Sequence, residues 1–404
     1  MTKLSNAFVI SSVCTALIYP FFVGASERLL EAGISARTEY NDNIFLTDNP
    51  RESVTGVTLT PSLSGIIKES NWESKLNAKL KISEYSNHSI DGNDQLFDLS
   101  GQYFAERNIF SLNVNHNLDS NLNSTSTDFG IVGRRVDRTS QNITPQYTYL
   151  LTERLMFTLS YSYTNVDFDD IENTGFVPFI TEVGTTSMQY ELTQRDQVTL
   201  NFQVVDYKSK NNLQMFNLFT SNIGIDHKFS ETVSADFSLG VSRRNSTNLD
   251  TTSFDFFGQT ITRTRVLDFN NRGLVLDAGI TQILESGNIK VRISRDDTTN
   301  SFGGADQVDR LRVVYDEEIS SLWRYNVNIR FDNIESVSNT NAVDRDVIFF
   351  ETRLSYSITS KWAANASYRY VARKFKSDLS EGRAPYSNRI YIGLNYNFPT
   401  LSTF

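Results

Sequence analysis

Hydrophobic side chains recur at every second position over segment after segment of this 404-residue chain, a period that a strand with one apolar face produces and a helix does not. Within residues 154–166, Leu155, Phe157, Leu159, Tyr161 and Tyr163 fall on one face and Met156, Thr158, Ser160 and Ser162 on the other. Residues 323–333 repeat the pattern, with Trp323, Tyr325, Val327, Ile329 and Phe331 set against Arg324, Asn326, Asn328, Arg330 and Asp332. Residues 389–398 do so again through Ile390, Ile392, Leu394, Tyr396 and Phe398. Composition agrees: Phe (28) and Tyr (18) are abundant and Met (4) and Pro (7) sparse, a usage that suits long pleated strands. The chain is expected to be all-β.

A water-soluble sandwich would alternate in the same way. Two further features point to a membrane barrel. The polar faces run for about ten residues, and the connections alternate between short and long, as periplasmic turns and outer loops do. Short turns are read at 105–108, 152–154, 193–196, 230–232, 285–288 and 359–361. Long, polar connections rich in Gly, Asn and Asp are read at 46–53, 124–138, 169–179, 242–256, 296–304 and 376–385. Trp72, Trp323 and Trp362 each follow a short turn, which would set all three rings at one membrane interface. Counting from Leu29 gives a transmembrane antiparallel up-and-down β-barrel of about 18 strands, with sixteen as the alternative count.

Lys3 followed by the apolar stretch 7–26, which ends in small residues, reads as a signal peptide over 1–25, leaving 26–404 as the barrel. Cleavage there removes Cys14, the one cysteine, so neither a disulfide nor a Cys-based metal site is expected. Beyond residue 26 no apolar run approaches the roughly 18 residues of a transmembrane helix, so the membrane must be crossed by strands and the expected location is the bacterial outer membrane. A net charge of −9 argues against nucleic acid.

Two short stretches carry resemblances. The face Ile390, Ile392, Leu394, Tyr396 and Phe398 resembles the C-terminal β-signal read by the outer-membrane assembly machinery, with PTLSTF after it as a departure from the usual pattern. Near the start, Tyr40, Asn41, Asp42, Asn43, Ile44 and Phe45 resemble the opening strand of the outer-membrane β-barrel porin family encoded in exopolysaccharide biosynthesis operons. That resemblance implies passage of a polymer or of smaller solutes through the outer membrane, and it brings no catalytic or binding positions with it.

Enzymatic barrels of this membrane use histidine, so the three histidines are the place to look. His116 shares its face with Phe110, Leu112, Val114 and Leu118, and His227 with Ile223, Ile225 and Phe229, which turns both toward lipid; His88 falls in a polar loop. No catalytic residue, cofactor or metal site is assigned, and the loop carboxylates Asp167, Asp169, Asp170 and Glu172 read as solvated or bridged through divalent ions to lipopolysaccharide. The chain is read as a pore and not as an enzyme.

A pore acts through its lining, and the candidates there are Arg324, Arg330, Glu351, Arg353, Arg369 and Arg373, with Lys75, Lys79 and Lys81 as a second basic row. If 359–361 is a three-residue turn, counting outward sets Glu351 opposite Arg369. The function expected first is exopolysaccharide export. Passive diffusion of small solutes, anionic ones among them, and a structural or adhesive barrel without transport are the alternatives. Expected partners are outer-membrane lipid and lipopolysaccharide, the assembly machinery and, for export, a secreted polysaccharide with periplasmic components.

Overall fold

The computed structural model describes residues 27–122, 134–169, 174–256, 259–302, 304–336, 344–376 and 384–403. The expected signal peptide lies outside them, as do Asp170 and Glu172. Eighteen long antiparallel strands follow one another around the molecule. They are β1 (Glu27–Asn41), β2 (Val54–Lys68), β3 (Trp72–Tyr85), β4 (Gly92–Phe104), β5 (Asn108–Ser120), β6 (Asp137–Leu150), β7 (Leu155–Phe168), β8 (Phe179–Glu191), β9 (Asp196–Ser209), β10 (Gln214–Lys228), β11 (Val233–Phe256), β12 (Gln259–Ile283), β13 (Gly287–Thr299), β14 (Ala305–Glu318), β15 (Trp323–Ser336), β16 (Arg345–Ser357), β17 (Trp362–Phe375) and β18 (Tyr386–Asn397). Each pairs with its neighbours in sequence, and β18 pairs with β1 from Asn397 opposite Gly33 to Arg389 opposite Asn41, so the sheet closes and leaves no edge. The short β19 (Leu401–Thr403) continues the wall beyond β18 by pairing with Arg28–Leu30. The segment after Phe398 is therefore part of the barrel and not an appendage.

The alternation read from sequence is realised as two environments. Val57, Ile223, Val241 and Ile392, all outward by the strand period, are 57–62% exposed, which in water would be a large penalty and in lipid is none. Opposite faces carry Thr58 against Ser83, Asn142 against Ser162 and Thr164, and Thr148 against Thr158, joined by side-chain hydrogen bonds of 2.7–3.1 Å. Trp72, Trp323 and Trp362 open β3, β15 and β17 immediately after short turns, as expected. Trp323 packs on Tyr356 at 4.6 Å and Trp362 on Tyr396 at 4.7 Å, so the rings form part of an aromatic girdle at one rim. A closed barrel with such a belt, a polar interior and one end made of short turns alone is a bacterial outer-membrane protein.

The Asn41-Asp42-Asn43 run has a structural task at the seam. Asn41 Oδ1 accepts from the Asn43 amide and from Ser387 Oγ, both at 2.8 Å. Asp42 accepts from the amide and the Nδ2 of Asn388 at 2.7 and 2.6 Å, and Asn43 Nδ2 donates to the Tyr386 carbonyl at 2.9 Å. Three consecutive side chains thus clasp β1 to β18 where the ladder ends. Ile44, next in the chain, is buried with Val54, Tyr85, Ile90 and Leu122.

Two departures from the sequence reading concern the loop end. Residues 242–256, expected as a long loop, belong to the β11–β12 hairpin, whose ladder runs unbroken from Val233 opposite Gln282 to Phe256 opposite Gln259. Above the lipid both faces of a hairpin meet water, so backbone pairing continues while the apolar alternation that signals it stops. Between β9 and β10 the loop end holds only Lys210–Leu213, so short and long connections do not alternate strictly.

Other loops turn into the barrel. The β13–β14 connection brings Phe302 against Phe176 of the β7–β8 connection, ring centroids 5.6 Å apart, and the Val177 amide donates to the Ser301 carbonyl at 2.9 Å. These residues join a buried cluster with Phe168, Phe179, Tyr207 and Phe216 on the inner faces of β7 to β10. From the other side Leu122, just past β5, reaches β18, where its carbonyl accepts from Arg389 Nη2 at 3.3 Å.

Candidate pore lining

The turn between β16 and β17 closes with the Ile358 amide donating to the Trp362 carbonyl at 2.9 Å, and the register it sets puts Glu351 opposite Arg369, as counted from the sequence. Arg369 Nη2 lies 2.9 Å and Arg353 Nη2 3.1 Å from the Glu351 carboxylate. On the neighbouring strand Arg330 pairs with the fully buried Asp332 at 3.1 Å, and Arg310 of β14 approaches the same carboxylate at 2.8 Å. Arg324 sits at the short-turn rim, exposed and bonded to Glu318. Arg373, opposite Val347, has an enclosed Nε without a hydrogen-bond partner. In the second row Lys81 pairs with Asp94 at 3.0 Å and Lys75 with Glu73 at 2.7 Å, while Lys79 lines a cavity at the seam.

The structure joins both rows across that seam. Arg37 of β1, Lys79 and Lys81 of β3, Arg369 of β17 and Arg389 of β18 line one cavity of about 310 Å³ together with Asp94 and Asp119. Arg37 and Arg389 are not marked as lining by the sequence, because on the first and last strands the apolar alternation dominates the pattern. Both lie on the opposite faces, at the period-two positions that also carry Glu39 and Tyr391. The sequence does not mark the aromatic rungs between the cations either. Phe349 lies between Arg330 and Arg369, with its ring centroid 5.2 and 5.5 Å from the guanidinium carbons, and Tyr391 lies 4.7 Å from Arg37 and 5.6 Å from Arg369. Such stacking holds a guanidinium flat against the wall while leaving its N–H edge for a carboxylate or phosphate. Five cations face two acids in the cavity, and Glu39 and Glu351 beside it leave the cations still in excess.

None of the histidines joins this lining. His116 lies opposite Phe97, outward with Phe110 and Leu112, and His227 shares the outward face with Phe229, its ring 4.4 Å from that ring and its Nδ1 2.6 Å from Asp196 Oδ1. His88, in a short turn His88–Ile90, is bonded to Asp91 at 2.8 Å. Partial desolvation pushes the Asp91 carboxyl up, but the Tyr85 amide at 2.6 Å and the His88 ring hold it below its ordinary value. Among the described residues no cluster of His, Cys, Asp and Glu has the arrangement of a metal site.

No protein-family model matches the chain, and comparison with curated proteins gives no match. The resemblance to barrels of exopolysaccharide operons therefore stands on Tyr40–Phe45 alone. Among solved structures the chain is similar to OccK2 (OpdF) of Pseudomonas aeruginosa, at 10% identity over 92% of this chain and 98% of that one with a TM-score of 0.49. OccAB2 of Acinetobacter baumannii matches at 10% identity over the same shares with a TM-score of 0.48. The ferric-catecholate import receptor Fiu of E. coli matches at 9% identity, covering 91% of this chain and 81% of that one, with a TM-score of 0.45.

Proposed function

We propose that this barrel is a passive outer-membrane channel for small anionic solutes. The observation that carries the reading is the cation-rich stretch of inner wall around Arg37, Lys79, Lys81, Arg369 and Arg389, where guanidinium groups are held on aromatic rungs. Fixed positive charge in a low-dielectric tube raises the local concentration of anions and sets the sign of the selectivity. Carboxylates and phosphates suit the arginine forks better than neutral sugars do.

Export of an exopolysaccharide, favoured by the Tyr40–Phe45 resemblance and by the width of 18 strands, is the second reading. Against it stand the connections at Phe302 and Leu122, which lie against the inner wall on two sides, where a bulky hydrated polymer needs clearance. No reaction is assigned to the lining.

The test is the reversal potential of the purified barrel in planar bilayers under a salt gradient. Anion preference is expected, and Lys79→Gln with Lys81→Gln should shift the potential toward cations. Cation preference in the unaltered protein would overturn the reading; polymer trapped in the periplasm of a deletion strain would favour export instead.

A further inference from the structure

The outer face of β9 to β12 carries a change of chemistry within three rungs of the ladder. Val241 stands opposite Leu274, both strongly exposed and apolar. One rung toward the loop end, Phe219 stands opposite Arg243 and Arg243 opposite Arg272. The next rung is polar, with the carboxylate Asp206 on β9 and the amides Asn217, Asn245 and Asn270 side by side on β10 to β12. Hydrocarbon therefore ends at Arg243 and Arg272, on the side of the membrane away from the short turns.

Two like charges directly opposite on adjacent strands repel, and they do so more strongly beside hydrocarbon than in water. Among the described residues neither Arg243 nor Arg272 has an acidic partner at ion-pair distance. Arg244, the inward neighbour of Arg243, shows the contrast: it is 3% exposed and ion-paired with Asp297. The wall there is hollowed into a groove of about 320 Å³ lined by Arg243 with Val204, Asn217, Leu218, Phe219 and Asn245.

We propose that Arg243 and Arg272 form a binding site for the phosphate of a lipid A headgroup in the outer leaflet. The arginine forks take the phosphate, which removes the repulsion between them; the polar rung meets the sugar hydroxyls; an acyl chain descends over Phe219 and Val204. The glycolipid is favoured over a free anion because the groove joins apolar and cationic surface in the vertical order of that lipid, and because the site opens sideways into the bilayer. The proposal is independent of what the lumen passes.

Native mass spectrometry of the detergent-solubilised full-length barrel provides the test, with bis-phosphorylated lipid A and the same lipid freed of its phosphates as probes. The unaltered protein should hold the phosphorylated lipid at least about tenfold more tightly than the dephosphorylated one, and Arg243→Ala with Arg272→Ala should remove about that factor. Equal retention of the two lipids, undiminished binding by the double variant, or complete displacement by millimolar inorganic phosphate would overturn it. Should the double variant fail to assemble, the comparison of the two lipids on the unaltered protein decides.

Discussion

Glu351 is shared by Arg353 and Arg369 in the lumen, and its removal separates charge balance from packing. Glu351→Gln keeps the side-chain volume but leaves both arginines without this counter-charge. Arg369 is largely enclosed and Arg353 half exposed, so the loss of stability should be small, about 1 kcal/mol, with most of the Arg353 share screened by water. Anion preference in a bilayer recording should rise; a variant as selective as the parent would show that this pair does not shape the field. Asp42 makes a different kind of contribution, because both its bonds cross the seam. Asp42→Ala should cost about 2 kcal/mol, seen as a lower urea midpoint for loss of the compact, heat-modifiable form. The Glu351–Arg369 pair can be read from the sequence because a turn of known length fixes a register, and a register fixes partners. Phe349 and Tyr391 escape such a reading because an aromatic on a wet face looks like noise until the cations on either side are seen in three dimensions.

At the scale of elements the strands are legible and the inward loops are not. Alternation marks a strand wherever one face meets lipid, which is why β7, β15 and β18 can be assigned with ends within about three residues, the misses falling mostly at the loop end where alternation fades. The same logic fails above the membrane: residues 242–256 carry no alternation and still pair for their whole length. Residues 296–304 read as a polar outer loop, and one aromatic, Phe302, gives no hint that the segment turns inward to Phe176. Phe302→Ala removes the ring that docks this connection and should weaken the docking by about 2–3 kcal/mol without touching the barrel ladder. The expected outcome is a larger single-channel conductance and faster protease cleavage near residue 302, with the urea midpoint of the barrel unchanged. Unaltered conductance would mean that the connection does not narrow the pathway.

A barrel as a whole depends on closure, and here the closing seam has two unequal parts. Nine residue pairs join β1 to β18, with the Asn41-Asp42-Asn43 clasp at their far end, and three more join β1 to β19 near the short-turn rim. From sequence alone the assembly signal falls on Ile390, Ile392, Leu394, Tyr396 and Phe398, and residues 399–404 read as a tail. In the barrel Ile390, Ile392, Leu394 and Phe398 are 46–60% exposed on the lipid side, and the Phe398 amide still donates to the Ala32 carbonyl of β1. Each backbone pair contributes modestly, but an unclosed edge in lipid leaves every N–H and C=O along it unsatisfied, so closure is all or none along the β18 segment. Removing residues 399–404 deletes only the minor part of the seam and should leave a heat-modifiable barrel in the outer membrane, with the urea midpoint lowered. Phe398→Ala in the full-length chain should instead reduce the amount assembled while leaving the midpoint of the assembled fraction nearly unchanged, if recognition and not stability resides in that ring. Gel mobility with and without heating, on isolated outer membranes, reads both quantities. A truncated chain that never assembles, beside a Phe398→Ala chain that assembles at parental levels, would move the signal from β18 to β19.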